Sequence, residues 1–128
     1  ITIANRTLEN AEKLSEFAEK IGLTADVLKI ENVNGSAKNY DIIVNATSIG
    51  LKNEESVISL DGINEKTVVY DIVYMPMNTD FIKKAKENNA IVIYGYEMLL
   101  GQATRAFEIW HNMEAPYNTM KKALLGGF

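Results

Sequence analysis

Short, nearly continuous apolar runs alternate with helix-spaced apolar residues along the whole chain, and this alternation restricts the fold to the α/β classes. Residues 67–74 (TVVYDIVY) are dense in β-branched and aromatic side chains, and Pro76 then forces the chain out of any sheet. Residues 41–45 (DIIVN) form an unbroken apolar run bounded by Asp and Asn, the pattern of a strand covered on both faces. Further strands are expected at residues 1–4, 25–30 and 90–94.

Between them, Leu8, Ala11, Leu14, Phe17, Ala18 and Ile21 recur at helical spacing, with Thr7 placed as an N-cap and Gly22 as a stop. Residues 32–39 read as a polar connection and 47–62 mostly as loop. A helix over 78–89 uses Phe81, Ile82 and Ala85. A longer one then places Met98, Gln102, Ala106, Phe107 and Trp110 on one face, expected to be core, and residues 116–125 form a last helix ended by Gly126 and Gly127. The order predicts a doubly wound, mostly parallel sheet with helices on both faces and ligands at the carboxyl ends of its strands.

With 128 residues, one domain with a self-sufficient core is expected if the whole fold is present. Thirteen basic residues are scattered against seventeen acidic ones, for a formal charge of -4, so no phosphate-tracking stripe exists and nucleic acid is not an expected partner. The absence of Cys excludes a thiol nucleophile or a Cys-rich zinc site, and no metal is expected. His111, the single histidine, has no Ser, Asp or Cys around it in a recognisable pattern and reads as a surface residue. No apolar run approaches a membrane span.

Four places carry candidate chemistry. Asn5-Arg6-Thr7 sits where a strand hands over to a helix. In dinucleotide-binding sheets an arginine there can fork onto a 2'-phosphate, which points to NADP, although a solvent-exposed arginine beside an ordinary cap fits equally. Gln102 lies within two turns of the helix entered through Gly95, on the face of Met98, and needs either a ligand or a backbone carbonyl as partner. Asn45-Ala46-Thr47-Ser48-Ile49-Gly50 is a polar turn at a strand's carboxyl end, able to approach a cofactor as many turns are. In the strand through Tyr70, Ile72 and Tyr74 share one face and Asp71 takes the other, where it reads as a structural acceptor for loop amides.

Taken together, ITIANRT, DIIVNATSIGL, VVYDIVYMPMNT and GYEMLLGQATRAFEIW resemble, in this order, the C-terminal NADP-binding domain of shikimate dehydrogenases. The resemblance runs from Ile1 to Phe128 and implies a Rossmann-like fold and reversible, NADP-dependent reduction of 3-dehydroshikimate to shikimate in aromatic amino-acid biosynthesis. It implies that Asn5, Arg6 and Thr7 hold the adenosine ribose and its 2'-phosphate, and that Ala46, Thr47 and Ser48 border the cofactor. Ile72, Gly95 and Met98 match positions at the nicotinamide, and Tyr74 and Gln102 match substrate contacts. Where many members carry a second basic residue after Asn-Arg-Thr, this chain has Glu9 and Asn10, which leaves the 2'-phosphate to Arg6.

The Gly-rich loop, with its strand and helix, and the N-terminal domain carrying the family's catalytic Lys and Asp have no counterpart in these residues, so no catalytic residue is assigned. In a sheet of order 3-2-1-4-5-6 the first strand is central. The strands at 1–4 and 41–45 are therefore expected to lack their shared neighbour, as one part of a longer two-domain enzyme. The resemblance further implies a cytoplasmic protein whose partners are the small-molecule substrate and its own N-terminal domain, with a homodimer as one arrangement. A quinate/shikimate dehydrogenase of broader specificity, the related glutamyl-tRNA reductase and a non-catalytic NADP-binding fragment are the alternatives.

Overall fold

A computed structural model describes residues 1–126 of the chain. Its strands are β1 (Thr2–Asn5), β2 (Asp26–Lys29), β3 (Ile42–Asn45), β4 (Val68–Asp71) and β5 (Ile91–Ile93), and its helices are α1 (Leu8–Lys20), α2 (Asp80–Glu87), α3 (Gly95–His111) and α4 (Tyr117–Leu125). All strand pairings are parallel. The fold is thus the expected α/β arrangement, but in two separate sheets: β1 with β2, and β3–β4–β5 in that order.

The break falls between β1 and β3, where the sequence predicts a missing shared neighbour. Asp26 N–H donates to the Ile1 carbonyl, and Val68 and Ile72 N–H groups donate to Asp41 and Asn45. Backbone groups alternate in direction along a strand, so those of Thr2 and Ala4 on β1, and of Ile42 and Val44 on β3, point away from their own sheets. A cleft of about 330 Å³ lies there, lined by β1 and β3 together with Leu14 of α1.

The three-stranded sheet is covered on one face only. The register places Ile43, Val69 and Val92 on a common side, where Val69, Phe81, Ala85, Leu60, Ile63 and Ala37 form the core. On the other side Ile42, Val44, Ile91 and Ile93 are 64%, 49%, 52% and 37% exposed. The expectation that residues 41–45 are covered on both faces is therefore corrected. α2 fills one side, and the side of Ile42, Val44, Ile91 and Ile93 is open.

Helix ends follow local chemistry. Thr79 caps α2, its hydroxyl oxygen accepting from Ile82 N–H at 3.2 Å. Thr7 occupies the N-cap position of α1 without using its side chain, while Leu23 N–H reaches back to the Ala18 carbonyl at the other end. α3 stops where Asn112 turns left-handed. Residues 32–39, expected to be simple connection, include parts of two short 3-10 helices, Ile30–Val33 and Ala37–Asn39, through which Val33 and Ala37 are buried. The proposed stop at Gly126 and Gly127 lies half outside the described residues, and Gly126 is the C-cap of α4. Among the described residues no helix is long and apolar enough to cross a membrane.

Candidate functional site

Parallel strands deliver their carboxyl ends to one edge of a sheet, and the candidate residues follow those ends: Asn5 closes β1, Asn45 closes β3, Asp71 closes β4, and Gly95 opens α3 just after β5. The cleft brings Asn5 to the same cavity as Asn45, Ala46 and Thr47.

At the β1 end, Asn5 Oδ1 accepts from Thr7 N–H at 2.9 Å, an Asx-type turn that throws Arg6 outward. Arg6 and Thr7 are both exposed, and among the described residues Arg6 makes no ion pair. Its guanidinium therefore remains available to an anion.

At the β3 end the turn is held from inside. Asn45 Oδ1 accepts from Thr47 N–H at 3.1 Å and from Thr47 Oγ1 at 2.7 Å, and Thr47 Oγ1 in turn accepts from Ile49 N–H at 3.1 Å. Ala46 and Ser48 stay exposed. Gly50 closes the turn with φ +106 against Thr79, whose methyl group would stand 3.0 Å from any added Cβ. Beyond it, Glu54 Oε2 accepts from Lys52 and Gly50 N–H groups. The backbone bond from Lys52 leads the causes that hold its carboxyl below the usual range.

At the β4 end, Asp71 is fully buried, as a structural acceptor would be. Its Oδ1 accepts from Asn45 Nδ2 at 2.9 Å and Val73 N–H at 3.0 Å, and its Oδ2 accepts from Thr79 Oγ1 at 2.6 Å. The strand predicted over 67–74 ends three residues early because Asp71 itself takes the Val73 amide. Ile72 is half-buried and Tyr74 is 42% exposed.

Gly95 connects this end to α3. A Cβ on Gly95 would sit 2.5 Å from the Ile72 carbonyl oxygen and 2.7 Å from the Val73 carbonyl carbon. Only glycine lets the start of α3 lie directly on the backbone leaving β4. Glu97 Oε1 accepts from Tyr94 N–H at 3.1 Å and fixes the same helix end.

Met98 and Gln102 lie one turn apart on α3, and both are exposed. The expected apolar seam is corrected: Gln102 faces out and Trp110 is 77% exposed, whereas Leu100 and Gly95 are the residues of α3 that are buried. The spacing identified a shared face but not which side of the helix meets the sheet. His111 is exposed, as predicted, with its ring 4.5 Å from that of Phe107. The sequence reading gave no role to Thr79, although Asn78-Thr79-Asp80 ahead of apolar residues is a legible cap signal.

A family model described as the Shikimate 5'-dehydrogenase C-terminal domain matches residues 95–125. Over all of its 128 residues the chain is 74% identical to a shikimate dehydrogenase (NADP(+)) of Nitrosopumilus maritimus and covers 47% of that protein. It is 38% identical over 130 aligned residues to one of Methanocaldococcus jannaschii, with 98% of the chain and 46% of the relative covered. The chain thus spans about half the length of the curated relatives it matches. Among solved structures, a shikimate dehydrogenase in complex with NADP+ superposes with a TM-score of 0.84 at 34% identity, over 99% of this chain and 46% of that one. Shikimate 5-dehydrogenase from Listeria monocytogenes, in complex with shikimate and NAD, gives 0.83 at 31% identity, with 97% and 46% covered. Quinate dehydrogenase from Corynebacterium glutamicum shares the fold, with a TM-score of 0.86 at 22% identity over 98% of this chain and 45% of that one.

Proposed function

We propose that this chain, a C-terminal portion of the shikimate dehydrogenase family, supplies the NADP-binding side and part of the substrate-binding side of an enzyme that reversibly reduces 3-dehydroshikimate to shikimate. The observation that carries the reading is the gathering of Asn5, Arg6, Ala46, Thr47, Ile72 and Gly95 at the carboxyl ends of parallel strands.

The residues fit the two ends of a dinucleotide. Arg6, exposed and without an ion pair among the described residues, forks onto the 2'-phosphate, while Asn5 and Thr7 meet the ribose. Ala46, Thr47 and Ser48 border the cofactor, with Thr47 held in place by Asn45. Ile72 and Gly95 present backbone to the nicotinamide half, Gly95 because no side chain intervenes, and Met98 shields the ring. Tyr74 and Gln102, exposed on this side, meet the substrate. NADPH when bound supplies the hydride, and the residues here orient it and keep its faces distinct.

The cleft between β1 and β3 separates these two ends. In the proposed full-length protein a further strand fills it, pairing with Thr2 and Ala4 on one side and Ile42 and Val44 on the other. Its loop meets the pyrophosphate, its helix covers the open face, and residues 1–128 make up only part of the cofactor domain. The proton-transferring groups lie in the N-terminal domain, and none is assigned here. The setting is cytoplasmic and the assembly a homodimer. The full-length natural protein should reduce NADP+ when given shikimate. A folded full-length protein that reduces no dinucleotide with shikimate would leave only the binding-fragment reading, and faster turnover of quinate would move it to the broader-specificity relatives.

A further inference from the structure

We infer that Asp71 is a positioning residue that fixes the cofactor-bordering turn and the substrate-facing segment as one unit, with Thr79 as their common post. The inference rests on the functional reading above only for what the two segments touch. The linkage itself stands on geometry.

Asp71 is 0% exposed, and three donors from three parts of the chain converge on its two oxygens. Asn45 carries the linkage into the 46–50 turn: its Nδ2 also donates to the Ile49 carbonyl at 3.1 Å while its Oδ1 holds Thr47. The Val73 amide carries it toward Tyr74. Thr79 Oγ1 donates to Asp71 and accepts from Ile82 N–H, anchoring the carboxyl group to the N-terminus of α2. Gly50 packs against the methyl group of the same threonine. Among the described residues no buried side-chain nitrogen or oxygen lacks a partner, so this network has no slack donor to absorb a lost bond. Displacing Asp71 therefore moves both segments together.

The test uses the full-length natural protein. Asp71→Asn keeps the shape but puts an NH2 donor where one acceptor oxygen stood, so either the Thr79 hydroxyl or the Asn45–Val73 pair of donors meets a donor instead of an acceptor. KM for NADP+ and KM for shikimate should both rise, with a combined loss in kcat/KM of about tenfold or more, the scale of a small misplacement at a reacting centre. Amide exchange should accelerate at both Thr47 and Val73 while α1 is unaffected. Thr79→Val, which removes the hydroxyl at nearly constant volume, should reproduce the paired defect, and Thr79→Ser should retain near-natural constants. If Asp71→Asn does not fold, the Thr79 pair decides. A drop in melting temperature with both KM values unchanged, or a rise confined to one substrate, would overturn the linkage. If the natural protein shows no turnover, the functional reading fails separately, and the exchange at Thr47 and Val73 alone decides whether the two segments move as one.

Discussion

The two sheets of this chain are built to different standards. Around β4, Val69, Asp71, Phe81 and Ala85 are buried, and the Asp71 carboxylate takes three hydrogen bonds. Around β1, Leu14 and Phe17 of α1 are 53% and 61% exposed, and among the described residues one edge of the strand, like that of β3, has no partner. The nicotinamide end of the proposed site thus stands on a sheet closed around Asp71 and on its α2 face, while the adenosine end stands on a two-stranded sheet beside the open seam. A parallel sheet buries both its faces and its inner edges. In the proposed full-length protein a strand would pair along the seam and an apolar helix would cover the face of Ile42, Val44, Ile91 and Ile93.

The largest effect should come from the β4 end. Gly95→Val drives a side chain into the Ile72 and Val73 carbonyls and should lower kcat/KM of the full-length protein by about a hundredfold or more. Steady-state kinetics beside a thermal melt will show whether the loss is local, and unchanged kinetics would mean the start of α3 is free to move.

Next come two phenylalanines. Phe81→Ala, in the core under β4, should cost about 3–5 kcal/mol by denaturant unfolding, whereas Phe17→Ala on the open side should cost within about 0.5 kcal/mol in the 128-residue chain. In the full-length protein the Phe17 effect should grow toward the buried value, and equal values at both lengths would remove the argument for a covering helix.

Amide exchange sharpens the same contrast. Ala4 and Val44, whose N–H groups point into the seam, should exchange fast in the 128-residue chain and slowly in the full-length protein.

The smallest effect is electrostatic. Asp80 takes a hydrogen bond and ion pair from Lys84 at 2.7 Å and accepts from Ser56 N–H at 2.8 Å, and the Lys84 contact is the leading cause of its lowered pKa. A carboxyl whose folded pKa is depressed adds stability above its unfolded value and loses it as pH falls through the folded one. Asp80→Asn should therefore lower the melting temperature slightly at neutral pH, where the exposed pair contributes, and converge on the natural protein in acid, so that the acid limb of the melting curve flattens.

Element types were legible in the sequence because periodicity and breakers agreed. TVVYDIVY followed by Pro76 became β4 and its exit, and the Phe81–Ile82–Ala85 spacing became the buried face of α2. The break between β1 and β3 was also anticipated, through the resemblance, which makes residues 1–4 the second strand of a sheet whose first strand is central. Burial was less legible. Helical spacing groups Gln102 with Trp110 but does not say which face meets the sheet, and an apolar run such as DIIVN reads the same whether its second cover lies within these residues or outside them. Asp71 was recognisable as a buried acceptor, but its partners Asn45 and Thr79 lie 26 and 8 positions away, and only the fold brings them together.

The measurement that tests the account most directly is the ratio of kcat/KM for NADP+ to that for NAD+, with shikimate as substrate, in the full-length protein and in its Arg6→Ala variant. The account predicts a ratio favouring NADP+ that falls by about ten- to a hundredfold in the variant, the size of a lost charge-assisted phosphate contact, through KM for NADP+ alone. A ratio unchanged by the substitution would take Arg6 away from the 2'-phosphate and with it the assignment of β1 to the adenosine end.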